Sequence, residues 1–196
     1  MKKTVYFITG NKSKFSEARL IVKDIVNLKQ KDSKLNETQA ISQERVVIEK
    51  ANEAYSRLKK PVLVDDTAIY FSAYKDFPGT YTKTLFGCLG FEGVEKLLNN
   101  RDRTAHFRTI ICYKDRKSTK LFSGIWNGRI VRQISRRFNP DWQYNSIFIP
   151  DGYKKLLSEI PLEERAKYSH RKRAFDKLVR YLKTNNNGHK IAAKRK

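Results

Sequence analysis

PVLVDDTAIYF, from Pro61 to Phe71, is the stretch on which the fold turns. A short apolar run of this kind reads as a strand buried on both faces, which requires helices above and below its sheet. It emerges into Asp65-Asp66, and a second short strand is expected after them. Toward the N-terminus, KTVYFIT (Lys3 to Thr9) is β-rich, ends at Gly10-Asn11, and is followed by Phe15, Ala18, Leu20, Ile21, Val22 and Ile25 at approximate helical spacing. That sequence reads strand, loop, helix. Val26 to Lys34 is a short strand entering a polar loop, and Ser42 to Leu58 carries Val46, Val47, Ala51, Ala54, Tyr55 and Leu58 as a helical stripe closed by Pro61.

Toward the C-terminus, PGTY (Pro78 to Tyr81) is a turn that opens a helix, and Gly90 to Leu98 reads as helical. Thr104 to Tyr113 and Leu121 to Gln133 alternate and are rich in β-branched and aromatic residues, so they are expected to pair as antiparallel neighbours across Asp115 to Ser118. Asn145 to Ile149 is a short strand stopped by PDG, and Pro161 to Leu182 holds one or two helices. β-α-β units mixed with a hairpin define an α/β class, without internal repeats. From about Thr184 the chain is low in complexity, so a domain over 1–184 and a basic, mobile tail over 185–196 are expected.

The 196 residues include 10 Tyr, 11 Phe and 2 Trp, and 39% of them are hydrophobic, which is enough for one core-forming domain and rules out wholesale disorder. No apolar run approaches the roughly 18 residues of a membrane span, and Val5 to Thr9 is too short for a signal sequence, so a cytoplasmic protein is expected. Cys88 and Cys112 form no CxxC pair and lie near no histidine cluster. They are read as buried thiols, not as a disulfide or a zinc site. Lys plus Arg is 42 against 20 Asp plus Glu, a formal charge of +22. Such a charge attracts polyanions, whether nucleic acid, acidic membrane or nucleotide phosphates. Lys183 to Lys196 contributes five of the basic residues and no acid, so most of the charge is spread over the rest of the chain.

Thr9-Gly10-Asn11, with Lys12 and Lys14 close behind, places backbone amides and ammonium groups at a helix N-terminus, an arrangement that suits phosphate. It reads equally as a plain strand-to-helix turn with solvated lysines. Adjacent residues of a strand point to opposite faces, so one carboxylate of Asp65-Asp66 can enter a cleft while the other is held elsewhere. Mg²⁺ takes one or two carboxylates and completes its shell with water and substrate phosphates, so Asp66 with a loop acid such as Glu37 would suffice; the alternative is a solvated strand end. Lys50, Lys83 and the cations from Arg165 to Arg173 can neutralise a triphosphate. Ser169 and His170, adjacent on a helix, diverge by about 100° and do not make a nucleophile and base. His106 is read as structural. Trp142 and Tyr144 alternate in a strand-like stretch and would face the same way, either as a base-stacking slot or as half-buried packing.

Six segments in order resemble the inosine-triphosphate pyrophosphatase family: FITGNKSK at Phe7 to Lys14, PVLVDDTAIYF at Pro61 to Phe71, PGTYTK at Pro78 to Lys83, GIWNGRIV at Gly124 to Val131, SIFIPDG at Ser146 to Gly152, and SHRKRAF at Ser169 to Phe175. YNSIFIP and SHRKRAF look closest to archaeal members. The resemblance implies an elongated, two-lobed α/β fold around a long mixed sheet, with the nucleotide in the cleft between the lobes, Mg²⁺ as the metal, and a homodimer. It implies hydrolysis of non-standard purine nucleoside triphosphates to monophosphate and pyrophosphate. Thr9, Asn11 and Lys14 would hold phosphates, with Lys14 and Asp66 catalytic, and Glu37 and Asp66 would handle metal and water. Lys50 and Lys83 would face the triphosphate, and Trp142, Tyr144, Asn145, Arg165, Ser169, His170 and Arg171 would surround the base. The chain departs from the family where it has Arg165 and Lys167 before Ser-His-Arg, Asn145 in place of an acid, and Pro140-Asp141-Trp142-Gln143 in place of a glycine-rich motif. A nucleic-acid-binding protein on the same fold, or a relative altered in specificity or activity through Asn145, are the competing readings.

Overall fold

The computed structural model describes residues 2–36, 40–75, 77–134 and 140–193, with side chains except at 140–142 and 185–193. Strand β1 (Thr4–Ile8) leads through helix α1 (Lys12–Val22) to β2 (Asn27–Lys31), and α2 (Gln43–Leu58) leads to β3 (Val62–Phe71). A two-residue strand β4 (Pro78–Gly79) precedes α3 (Thr82–Leu97), followed by the hairpin β5 (Thr104–Lys114) and β6 (Thr119–Ile130). After a 3-10 segment at Pro140–Ser146 come β7 (Phe148–Pro150), α4 (Leu162–Tyr168) and α5 (His170–Ala193).

The seven strands form one mixed sheet in the order β2-β1-β3-β5-β6-β7, with β4 beside β3. β1 is parallel to β2 and β3, whereas the β3–β5, β5–β6 and β6–β7 pairs are antiparallel, and Val62 to Phe71 pairs without a break with Lys114 to Ala105. Strand alternation distributes three cores. Leu63, Ile111 and Tyr113 join α1 and α5 in one core on one face. Val62, Val64, Ile110 and Cys112 meet Val47, Ala51 and Ala54 of α2 on the other. Along the far halves of β3, β5 and β6, Ile69, Phe71, Phe107 and Trp126 pack with Phe86, Val94 and Tyr144 into the third. One sheet thus serves two lobes, and the cleft is lined by members of the second core, Ile8 and Val64, and of the third, Phe107, Tyr144 and Leu157.

The structure corrects several expectations from the sequence. Pro61 to Phe71 is one continuous strand, not a strand that ends at the aspartates and a second one, because β5 pairs with its whole length. The stretch holding Trp142 and Tyr144 is 3-10, not strand-like, and the strand expected from Asn145 starts only at Phe148. α3 begins at Thr82, with Gly90 as a break at φ 58° instead of a start. Helix α5 continues past Leu182 to Ala193. Cys112 is buried as expected, but Cys88 is exposed, because it sits on the outer side of α3. Among the described residues no helix is long and apolar enough to cross a membrane.

Gly124 fixes the seat of α5. A Cβ there would stand 2.1 Å from the carbonyl oxygen of His170 and 2.6 Å from the amide nitrogen of Ala174, both backbone atoms that no rotamer change can move. Gly124→Ala is therefore expected to cost about 2 kcal/mol or more through overpacking, lowering Tm by at least about 4 °C. Thermal unfolding of the variant checks it; an unchanged Tm would show that α5 shifts freely on β6.

Candidate active site

Asn11 caps α1, its side-chain oxygen accepting from Lys14 N at 2.9 Å, while Thr9 Oγ1 accepts from Asn11 N at 3.1 Å. The turn is thereby held with the first amides of α1 directed into the cleft, an electropositive helix end. Lys14, one turn in, brings its Nζ to 3.1 Å from Asp65 Oδ1.

The two aspartates of β3 part to opposite faces. Asp65 turns toward α1 and α5, where Arg171 Nε donates to its Oδ2 at 3.4 Å. Burial pushes the Asp65 carboxyl up, but the charges of Lys14 and Arg171 outweigh it and hold it below the usual carboxylate range. Arg171 also donates to Glu17 Oε2 at 2.6 Å and to Thr67 Oγ1 at 3.2 Å. Ser169 donates to Glu17 Oε1 and accepts Lys172 N at 3.0 Å, capping α5. Glu17, Asp65 and Arg171 are all under a tenth exposed. Such a cluster is costly to desolvate and costlier to break, at about 3–5 kcal/mol for loss of one partner.

Asp66 turns toward α2. Gln43, 1% exposed, donates from Nε2 to Asp66 Oδ2 at 3.0 Å and to the carbonyls of Asp66 and Arg108, while its Oε1 accepts from the Tyr70 hydroxyl at 3.2 Å. Tyr70 in turn stacks on His106 at 5.0 Å. Asp66 Oδ1 lies 3.9 Å from Lys50 Nζ. For this carboxyl burial wins over Lys14, Lys50 and Gln43, and its pKa is raised. Asp66 is thus the more basic of the pair and the one less committed to structure.

The cleft has a volume of about 1110 Å³. The structure brings Thr9, Asn11, Lys14, Lys50, Asp66, Lys83, Tyr144, Asn145, Arg165, Ser169, His170 and Arg171 to its walls. Glu37 lies outside the described residues, and so does the Trp142 side chain. Tyr144 is 2% exposed, its ring edge-on to Phe71 and Phe86, and its hydroxyl has no hydrogen-bond partner among the described residues. The same holds for both ring nitrogens of His170. Burial, and then Arg171, Lys14, Arg173 and Arg165, keep the His170 pKa well below its ordinary value, so the ring stays neutral. A neutral imidazole offers one donor and one acceptor, and neither is spent on a partner among the described residues.

Glu17, Gln43, Thr67 and Gln143 escaped the sequence reading. Glu17 had a signal, being one helical turn beyond Lys14 on the face that α1 buries. Gln43 and Thr67 had none, since their partners are far away in sequence. Gln143 lines the cleft at φ 44° and ψ −126°, a conformation that favours glycine.

A cleft lined by a lysine-bearing helix terminus, a carboxylate of raised pKa and neutral polar side chains suits a protein of the phosphoanhydride-handling α/β class. A family model described as the Ham1 family matches residues 5–181. The chain is 36% identical over 179 residues to the dITP/XTP pyrophosphatase of Saccharolobus solfataricus, covering 90% of this chain and 92% of that protein. It is also 36% identical over 183 residues to the inosine triphosphate pyrophosphatase of Yarrowia lipolytica, covering 91% and 95%. The Ham1 protein of Staphylococcus aureus shares the fold at a TM-score of 0.71 and 23% identity, covering 93% of this chain and all of that one. The chain belongs to the Ham1 family.

Removing the Gln43 amide should release the Asp66 carboxylate from its rotamer without touching the cleft. Gln43→Leu is expected to lower kcat about tenfold, the scale of a misplaced catalytic group. The same change in an Asp66→Asn background should cost nothing further. Additive losses in that double-mutant cycle would place Gln43 outside the Asp66 unit.

Proposed function

We propose that this nucleoside triphosphate pyrophosphatase acts on non-standard purine nucleoside triphosphates, ITP, dITP and XTP, releasing the monophosphate and pyrophosphate with Mg²⁺ as its metal. The observation that carries the reading is the make-up of the cleft: Lys14 and Lys50 act on Asp66 in its wall, Lys83 and the α1 N-terminus line the same cavity, and so do the polar side chains of Tyr144, Asn145 and His170. The relatives named for dITP/XTP and inosine triphosphate hydrolysis support it.

Asp66, in the cleft wall with Oδ2 held by Gln43, is the described carboxylate that would hold Mg²⁺; Glu37, outside the described residues, is the second acid expected, and phosphate oxygens and water would fill the rest of such a shell. The metal would supply neutralisation of phosphate charge where it builds up. The lysines and the helix amides orient the triphosphate, and Asp66 accepts a proton from the attacking water. Water adds at the α-phosphorus, the bond to the α,β-bridging oxygen breaks, and pyrophosphate leaves. We place the enzyme in the cytoplasm as a homodimer, with 1–184 as its catalytic domain.

Asp66→Asn is expected to lower turnover of ITP a hundredfold or more. Because the Asp66 pKa is raised in the fold, its ionisation destabilises the protein above that pKa, so the same variant should keep or raise Tm at pH 7. Turnover with and without Mg²⁺ and thermal unfolding at pH 7 check both. Unchanged turnover would remove Asp66 from the mechanism.

Asn145 sits half-buried in the cleft wall. A carboxylate only accepts hydrogen bonds and would favour bases carrying N1–H, whereas a carboxamide also donates and can serve adenine N1. The expected result is weaker discrimination against ATP, with Asn145→Asp raising the ITP to ATP ratio of kcat/KM by about 10-fold or more. An unchanged ratio would leave Asn145 as a cap in the wall.

A further inference from the structure

Exposed cations of α2 and α3 find acids one turn away on the same helix. On α2, Arg45 meets Glu49 at 2.8 Å and Arg57 meets Glu53; on α3, Lys96 meets Glu92 at 3.5 Å. The outer face of α5 is built otherwise. Arg173, Lys177, Arg180 and Lys183 are all exposed and follow one another at helical spacings of four, three and three residues. They therefore form a single stripe of like charge. The nearby carboxylate, Asp176, is taken by Lys172 Nζ at 2.6 Å from both its oxygens. Lys177, Arg180 and Lys183 meet no acidic partner among the described residues. Like charges at these spacings cost a few tenths of a kcal/mol per pair, so the stripe weakens the helix that carries it.

Two neighbouring features extend the stripe. A groove of about 410 Å³ separates Arg173, Lys177 and Arg180 from Ser123 and Ile125 of β6, and Arg173 Nη1 donates to the Ile125 carbonyl at 2.6 Å across it. At the other end, Ser118 Oγ and Tyr181 Oη are 3.1 Å apart, tying α5 to the β5–β6 turn, where Arg116, Lys117 and Lys120 are exposed. The acid of that turn, Asp115, is engaged by Lys3 Nζ at 3.1 Å and by the Tyr113 hydroxyl at 2.6 Å.

We propose that this face, Arg173, Lys177, Arg180 and Lys183 together with the Arg116 to Lys120 turn, binds the phosphate backbone of a nucleic-acid duplex. The stripe rises about 15 Å along α5, a length that spans about four phosphates of one strand. The occupant is a duplex because the face has no stacking platform: Tyr181 packs on Phe122 at 5.5 Å and on Tyr113 at 6.1 Å. Single-strand binders rely on rings free to stack on bases. A bilayer is disfavoured because Leu178 and Leu182 of α5 are buried in the core, and the exposed large apolar side chains near the cations among the described residues are Leu121 and Ile125 of β6, too few for a membrane wedge. Binding is to the backbone and independent of base sequence. It uses none of the cleft residues, so it adds to the nucleotide reaction without depending on it.

The test is fluorescence anisotropy of a labelled 20-base-pair DNA duplex with the full chain, over 50–200 mM salt. Lys177→Glu/Arg180→Glu/Lys183→Glu is expected to weaken binding at least tenfold at 100 mM salt and to flatten the slope of log K against log salt by about 3, one counterion per lost contact. Tm and ITP turnover should hold. A control of equal charge, Lys23→Glu/Lys29→Glu/Lys60→Glu, at the ends of α1 and α2 and in β2, should lose far less affinity. Equal losses in the two triples would overturn the proposal in favour of net charge alone. So would an unbound duplex, tighter binding to a single strand of the same length, or binding confined to phosphatidylserine vesicles.

Discussion

The buried contact of Arg171 with Glu17 and Asp65 joins three elements at one point. Arg171 opens α5, Glu17 lies in α1 and Asp65 in the middle of β3. Apolar packing is tolerant of sliding, whereas a guanidinium with donors spread over two carboxylates and Thr67 is not. The cluster therefore fixes where the α5 N-terminus stands relative to the α1 N-terminus, and with it the distance between the two ends of the cleft. Gly124 makes the same placement possible from the other side by letting the α5 backbone lie directly on β6.

Strand alternation then divides labour between two chemically identical side chains. Asp65 is given two cations, and its charge is fully answered. Asp66 faces the opposite way toward a neutral amide and a lysine 3.9 Å off. Burial without full compensation is what raises a carboxyl pKa, so the difference in basicity follows from the pleat and from what α1, α2 and α5 bring to each face. The unpartnered Tyr144 hydroxyl and His170 nitrogens follow the same logic, as does the backbone of Gln143. Each is a local loss of stability at a position where a ligand can supply what the protein withholds.

The parts of this arrangement that were legible in the sequence are those set by short-range pattern. The β3 run, the α2 stripe and the β5–β6 hairpin came from periodicity, and Thr9 to Lys14 from the strand-loop-helix order. Three things depended on distance in sequence and left no local trace: the Glu17 contact with Arg171 across 154 positions, the Gln43 contact with Asp66, and the close approach at Gly124. Trp142 to Tyr144 was misread because alternation over three residues is too short to separate a strand from a 3-10 turn, and the backbone at Gln143 breaks either pattern. Cys88 was misread because burial of a lone thiol is a compositional tendency, and its position on α3 decides otherwise.

The cations of the cleft are partly pledged before any ligand arrives, and this bears on turnover. Lys14 sits 3.1 Å from Asp65, and Lys50 leans toward Asp66. An ammonium has three donors, so Lys14 can keep Asp65 while giving a hydrogen bond to phosphate. On the proposed function, the phosphate would meet a cation already paired with a carboxylate, and binding would be weaker than a bare lysine would give. Against a chain of +22 that weakening would be useful: the long-range field draws polyanions in, and a fully unpaired lysine cluster would hold pyrophosphate as tightly as the triphosphate. Uniform binding of substrate and product does not speed the reaction. Pairing the cleft cations with Asp65 and Asp66 would leave attraction to the global charge and reserve the local contacts for the charge that develops during hydrolysis.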